Sequence, residues 1–131
     1  IPLEGHCAIN HGIAVGVLLP RVLAFNAQAA PERVALIAWA LGITRSDGPL
    51  GSMVVQALWD LYDDIGFPRW FDPEKVSVSR IAEFARLATV GLYGDGGNPS
   101  EAHDETPIPS PNVRSATVRD ARQLYRECLQ N

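Results

Sequence analysis

Three histidines, a small acidic cluster and a buried-type thiol carry the chemistry that this sequence could perform. His11 and His6 stand five residues apart, a spacing that does not place both on one helical face. One neutral imidazole is a single ligand, whereas a closed metal site takes about four. Read on its own, His11 is therefore a polar residue at the start of a helix, and His6 is a solvent-facing turn residue. Glu101, His103, Asp104 and Glu105 crowd one stretch. They are a conceivable metal-binding set, although acidic loops mostly serve solvation. Cys7 has no activating neighbour in the sequence and is read as inert. Asp60, Asp63 and Asp64 fit a solvated helix face. Gly94, Gly96 and Gly97 follow a helix-type segment rather than a strand, which makes them poor candidates for a phosphate loop.

The elements that must position these groups read as helices. Residues 10–25 are apolar on almost every side, the pattern of a buried helix. Pro20 is expected to kink or split it. A strand remains an alternative there, because short apolar runs rich in β-branched residues are ambiguous. Residues 31–41 form a second helix, with Pro31 at its first position, Gly42 just past its end, and Val34, Ile37, Ala38 and Leu41 as its stripe. Over residues 50–65, Leu50, Met53, Val54, Ala57, Leu58, Leu61 and Ile65 recur at three and four, and Gly66 and Pro68 stop the helix.

Residues 67–76 form a connector that Trp70 and Phe71 should tuck onto the core. A further helix is predicted over residues 77–92, capped by Ser77, with Val78, Ile81, Ala82, Ala85, Ala88 and Leu92 inward. Residues 94–116 hold seven of the Gly and Pro residues and read as a long loop. Thr117 and Asp120 then make a capping box, followed by the stripe Val118, Ala121, Leu124, Tyr125 and Cys128. The total is an all-α, bundle-like single domain over residues 1–131, with five to six helices. Trp39, Trp59 and Trp70 read as core or interface anchors.

The order of these motifs resembles the C-terminal domain of the iron-containing alcohol dehydrogenase family. His11-Gly12-Ile13-Ala14-Val15-Gly16-Val17-Leu18-Leu19-Pro20 is similar to that family's His-Gly-x-Ala-Asn-Ala-x-Leu-Leu-Pro helix. Phe25-Asn26, Ala30-Pro31-Glu32 and Asp64-Ile65-Gly66-Phe67-Pro68 follow in the family's order. Gly96-Gly97-Asn98-Pro99 resembles its Gly-Gly-Asn-Pro loop, although Asn112-Val113-Arg114 can be aligned with its Asn-Pro-Arg instead. Thr117, Asp120, Leu124 and Tyr125 match its last helix.

The resemblance implies a two-domain enzyme, maleylacetate reductase-like relatives included, in which an N-terminal α/β domain binds NAD(P) and a helical domain faces it. A divalent metal, iron or zinc, would sit between them, held by one Asp and three His. His11 takes the place of the last of these His, and His6 could line the substrate side of the cleft. The sequence departs from the pattern at Glu4, where Gly is usual, at Asn10, where Pro is common, and at Val15, where Asn is usual. The other three ligands would precede residue 1. The isolated chain is accordingly expected to be inactive and to hold neither metal nor NAD(P) by itself. Its expected partner is a nucleotide-binding domain. The alternative is a non-enzymatic helical domain that pairs with a second copy of itself.

Composition bounds the rest. The 131 residues carry a net charge of −4, 47% apolar and 20% charged residues. That is the balance of a globular domain able to bury a core without staples. No basic stripe marks a nucleic-acid binder. The longest apolar run is too short to span a bilayer, and no signal-peptide pattern opens the chain. Its opening at Ile1-Pro2-Leu3 suggests a piece of a larger chain. Two isolated cysteines, Cys7 and Cys128, fit a cytoplasmic protein, with one long-range disulfide as the alternative.

Overall fold

The computed structural model describes residues 2–44, 48–90, 98–109 and 112–130, with the side chains of Pro2 and His6 outside that description. Among the described residues the domain is all-α, as the periodicities predict. It has six α-helices: α1 (Pro2–Cys7), α2 (His11–Ala27), α3 (Pro31–Ala40), α4 (Leu50–Ile65), α5 (Ile81–Leu87) and α6 (Val118–Glu127). The α1 helix was not predicted: only His6 was assigned there, to a turn, and six residues carry too little periodicity to show a helix. It buries Leu3 and Cys7 one turn apart, and that tertiary contact stabilises so short a helix.

The Asn10 side chain caps α2 by accepting from the Gly12 N–H at 2.8 Å. The helix then runs through Pro20 as one element, so it is not split there. Proline has no N–H, so the Gly16 carbonyl four residues back loses its helical donor. Tyr62 of α4 replaces it, its hydroxyl donating to the Gly16 oxygen at 2.7 Å. The same point is a close approach of backbone to ring, since a Cβ on Gly16 would overlap the Phe67 side chain. Helices α2 and α4 run antiparallel: Gly16 faces Tyr62 at one end, and Ala27 lies against Gly51 at the other.

Two apolar clusters result. The larger joins α1, α2, α5 and α6 around Leu3, Val17, Phe84, Val118, Tyr125 and Cys128, with Phe71 and Val76 from the connector. The smaller joins α3 to α4 through Val34, Ala38 and Val54, with Leu23 and Ala27 at the end of α2.

The stripes drawn from periodicity are only half right. On α3, Val34 and Ala38 are buried, but Ile37 and Leu41 are exposed, because this helix packs mainly on α4 through one face. On α4 the inward line passes through Tyr62, leaving Leu61 and Ile65 exposed. The α2 helix is apolar all round but not buried all round: Val15 and Leu19 are exposed.

The predicted helix over residues 77–92 is three pieces. A 3₁₀ turn over Val78–Arg80, capped by Ser77 as expected, leads into α5, and a second turn follows over Ala88–Val90. Three residues per turn in the first piece, against 3.6 in α5, shifts the register. Val78 and Ala82 therefore face solvent and Phe84 becomes the anchor. The expectation for Leu92 falls outside the described residues. In the connector Phe71 is buried as predicted, whereas Trp70 is exposed. Trp39 is 79% exposed and so is not a core residue, and the Arg21 and Arg69 guanidiniums each stack on the Trp59 ring, at 4.8 and 4.9 Å.

Much of the predicted loop is tied down. The Ile108 N–H donates to the Ala116 carbonyl at 2.8 Å, and Pro107 and Thr117 form an isolated antiparallel bridge. Asn112 and Asn26 exchange side-chain hydrogen bonds, and Arg114 stacks on Phe25 while donating to its carbonyl at 2.9 Å. The Phe25-Asn26 pair thus anchors residues 112–114 to the end of α2.

Candidate metal-ligand site

His11 is the first residue of α2, and its side chain is 71% exposed. Its Nδ1 lies 2.5 Å from Oε1 of Glu4, which reaches across from α1. A carboxylate accepts here, so the imidazole donates through Nδ1, and Nε2 is the ring nitrogen outside this contact. Glu4 is held because its neighbour Leu3 is fully buried and Cys7 anchors the end of α1 in the same cluster. The chain turns at Ala8, which takes a left-handed φ of 51°, and the Asn10 cap then fixes the start of α2. Sequence reading registered Glu4 only as an unusual residue. Its partnership with His11 spans seven residues and a turn, a distance at which no regular periodicity pairs two side chains.

The remaining candidates separate. His6 lies within α1 rather than in a turn, and its side chain is outside the described residues. His103 is exposed, and its Nδ1 accepts from the Glu105 N–H at 3.3 Å. The acidic cluster beside it is matched by cations: Asp104 pairs with Arg122 at 2.9 Å, and Glu105 with Arg119 at 2.6 Å. Among the described residues no group of three or more His, Cys, Asp or Glu side chains could hold a metal ion. Asp60, Asp63 and Asp64 are exposed as expected, and the Arg69 fork beside Asp63 holds its carboxyl below the usual range. Cys7 and Cys128 are both free and buried. Burial raises the Cys7 thiol above its ordinary range against the lowering pull of Arg80, the direction of an unreactive thiol.

Beyond His11, α2 and α4 carry exposed apolar side chains. Val15 and Leu19 continue from it along α2, at 39% and 44% exposure, and Leu61 and Ile65 flank the Tyr62 contact on α4 at 47% and 63%. A groove of about 790 Å³ lies elsewhere, between the end of α2 and the starts of α3 and α4, lined by Ala27, Gln28, Val34, Leu50 and Trp59 among others. It is roughly 20 Å along α2 from His11, at 1.5 Å per residue, and brings no titratable group to the site.

This arrangement of a helix-opening histidine in a His-Gly-x-Ala sequence, backed by a second helix pair, can be compared with known proteins. Residues 1–108 match the family model described as Fe-containing alcohol dehydrogenase family, C-terminal. The chain belongs to the iron-containing alcohol dehydrogenase family. Lactaldehyde reductase of Escherichia coli strain K12 is 31% identical over 104 residues, which is 77% of this chain and 27% of the relative. The corresponding protein of Escherichia coli O157:H7 matches to the same extent. The chain thus spans about a quarter of the length of these curated relatives. As an iron-containing alcohol dehydrogenase family member it is part of an oxidoreductase family, and its all-α architecture is that expected of the C-terminal domain. The matched stretch includes Glu4, His11 and helices α1 to α5 and stops before α6. No helix among the described residues is long and apolar enough to cross a membrane.

Proposed function

We propose that this chain is the metal-side helical domain of an NAD(P)-dependent, metal-dependent oxidoreductase acting on a small alcohol or its carbonyl counterpart, with His11 as a metal ligand. The observation that carries the reading is the orientation of His11. An exposed imidazole that donates through one ring nitrogen to a carboxylate is the usual state of a ligating histidine. The fit is that of one ligand. The described residues contain no second cluster, so the remaining donors would come from outside them.

When bound, a divalent metal polarises the alcohol or carbonyl oxygen, and the nicotinamide carries the hydride. The tasks of this chain's residues are narrower. His11 would hold the metal through Nε2, and Val15 and Leu19 would present a dry wall beside it, which strengthens every electrostatic contact at the site. His6, on α1, would face the substrate side of the same cleft. The name of the E. coli relatives suggests a short hydroxyaldehyde or the corresponding diol as the class to try first.

Taken alone, the chain would neither reduce an aldehyde nor retain NAD(P). The experiment is metal analysis and NAD(P)H-coupled lactaldehyde reduction on the protein made from its natural gene, beside His11→Ala. Bound iron or zinc lost with His11, together with loss of activity, supports the assignment. A variant that keeps both removes it.

A second reading has a specific observation behind it. Val15, Leu19, Leu61 and Ile65 form an exposed apolar area that a second copy could cover as a symmetric dimer without any catalysis. The intact mass of the natural product separates the readings. A mass well above that of the 131 residues supports the enzyme; a mass equal to it, with a concentration-dependent dimer protecting Val15 and Leu19, supports the module.

A further inference from the structure

We propose that Glu4 is a positioning residue for His11, fixing both the imidazole tautomer and the ring direction so that Nε2 is presented to the metal. The proposal rests on the reading of His11 as a ligand. It departs from the family pattern, in which glycine is usual at this position.

Three features carry it. The Glu4 carboxylate and the His11 Nδ1 are hydrogen-bonded, and an ionised carboxylate can only accept, so Nδ1 donates. In the neutral imidazole the proton is then on Nδ1, and the lone pair is left on Nε2. The second feature is the difference in exposure. The His11 side chain is 71% exposed, so no packed wall fixes its ring, whereas Glu4 is only 33% exposed. Of the two, Glu4 is the fixed partner. It is placed by α1, whose Leu3 and Cys7 are buried one turn apart in the main core. The third is the independent fixing of the His11 backbone by the Asn10 cap. With the backbone set by Asn10 and the ring set by Glu4, the Nε2 direction is decided before any metal arrives. That removes an ordering cost which a free, exposed histidine would have to meet on binding.

A purely structural role would look different. An exposed hydrogen bond that served the fold alone would leave metal affinity unchanged when it was removed. The test therefore reads tautomer and affinity separately. The protein from its natural gene, stripped of metal, is titrated with Zn²⁺ beside Glu4→Ala, Glu4→Gly, Glu4→Gln and His11→Ala. Loss of an outer carboxylate from a metal-bound histidine typically weakens affinity about 10–100-fold, and that loss is expected for Glu4→Ala and Glu4→Gly. Glu4→Gln, whose amide oxygen still accepts from Nδ1–H, should recover part of it. Long-range ¹⁵N–¹H spectra of His11 should show the proton on Nδ1 in the native protein and shift toward the Nε2–H form in Glu4→Ala. Affinity unchanged in Glu4→Ala but lost in His11→Ala would overturn the role of Glu4 and leave His11 a ligand. Affinity unchanged in His11→Ala would instead overturn the ligand assignment itself.

Discussion

At the scale of single residues, Pro20 shows how a sequence rule and a tertiary contact can coexist. The rule that proline breaks a helix rests on a lost donor and a ring clash. In α2 the carbonyl deprived of its donor, that of Gly16, is supplied by the Tyr62 hydroxyl at 2.7 Å. Tyr62→Phe should therefore destabilise the fold by about 1–2 kcal/mol, the cost of leaving a half-buried carbonyl unpaired, measured by urea unfolding. Pro20→Ala restores an N–H to the same carbonyl. In that background the cost of Tyr62→Phe should fall, and a double-mutant cycle with no coupling would contradict the argument. Cys128 and Tyr125 give a pH-dependent counterpart. Burial pushes the Cys128 thiol up from 9.0 to about 12 and the Tyr125 phenol up from 10.0 to about 12. A raised folded value means that the unfolded chain loses its proton first. The stability these groups contribute is therefore complete at neutral pH and is lost as pH rises from about 9 toward about 12. Unfolding midpoints measured between pH 7 and pH 11 should be level at first and then fall, and a fall beginning at neutral pH would point to other groups.

At the scale of elements, the start of α6 accounts for all of its early N–H groups, which a helix cannot satisfy internally. Val118 donates to the Thr106 carbonyl and Arg119 to that of Asp104, each at 2.9 Å. Asp120 donates to the Thr117 hydroxyl, and the Thr117 N–H donates to the Asp120 carboxylate. Thr117→Ala should cost about 0.5–2 kcal/mol, the range for loss of a capping side chain. It should also raise hydrogen exchange at Val118 and Arg119, because the same corner holds residues 104–106. The capping box was readable because it is local: three residues' separation and the right side-chain types are sufficient. The docking of residues 104–108 was not, since Asp104, Thr106 and Ile108 enter through their backbone groups, which the sequence does not distinguish. Gly16 makes the same point for packing. Gly16→Ala should cost about 1–3 kcal/mol through overlap with the Phe67 ring, which is visible only once α2 and the segment after α4 are brought together.

At the scale of the molecule, the distribution of exposed apolar side chains says more than the core does. Phe84 is fully buried in the larger cluster, and Phe84→Ala should cost about 3–5 kcal/mol in chemical denaturation. Val15, Leu19, Leu61 and Ile65, by contrast, lie open beside the contact between α2 and α4. Their periodicity is that of core residues, and it was read so. Among the described residues no element covers them. This is where sequence pattern and domain burial part company, because periodicity reports which faces are apolar and not what lies against them.

The sequence by itself determined the features that depend on near neighbours: the helical class, the caps at Ser77 and Thr117, the left-handed glycines after α3 and α4, and the ordered motifs that identify the family and single out His11. Each follows from residue types within a turn or two of one another. The tertiary structure alone decided that Pro20 stays inside one helix, that the acidic loop is neutralised by Arg119 and Arg122, and that Glu4 faces His11. Those depend on where distant side chains are carried by the packing of Leu3, Val17, Phe84 and Tyr125, and no spacing rule along the chain encodes that distance.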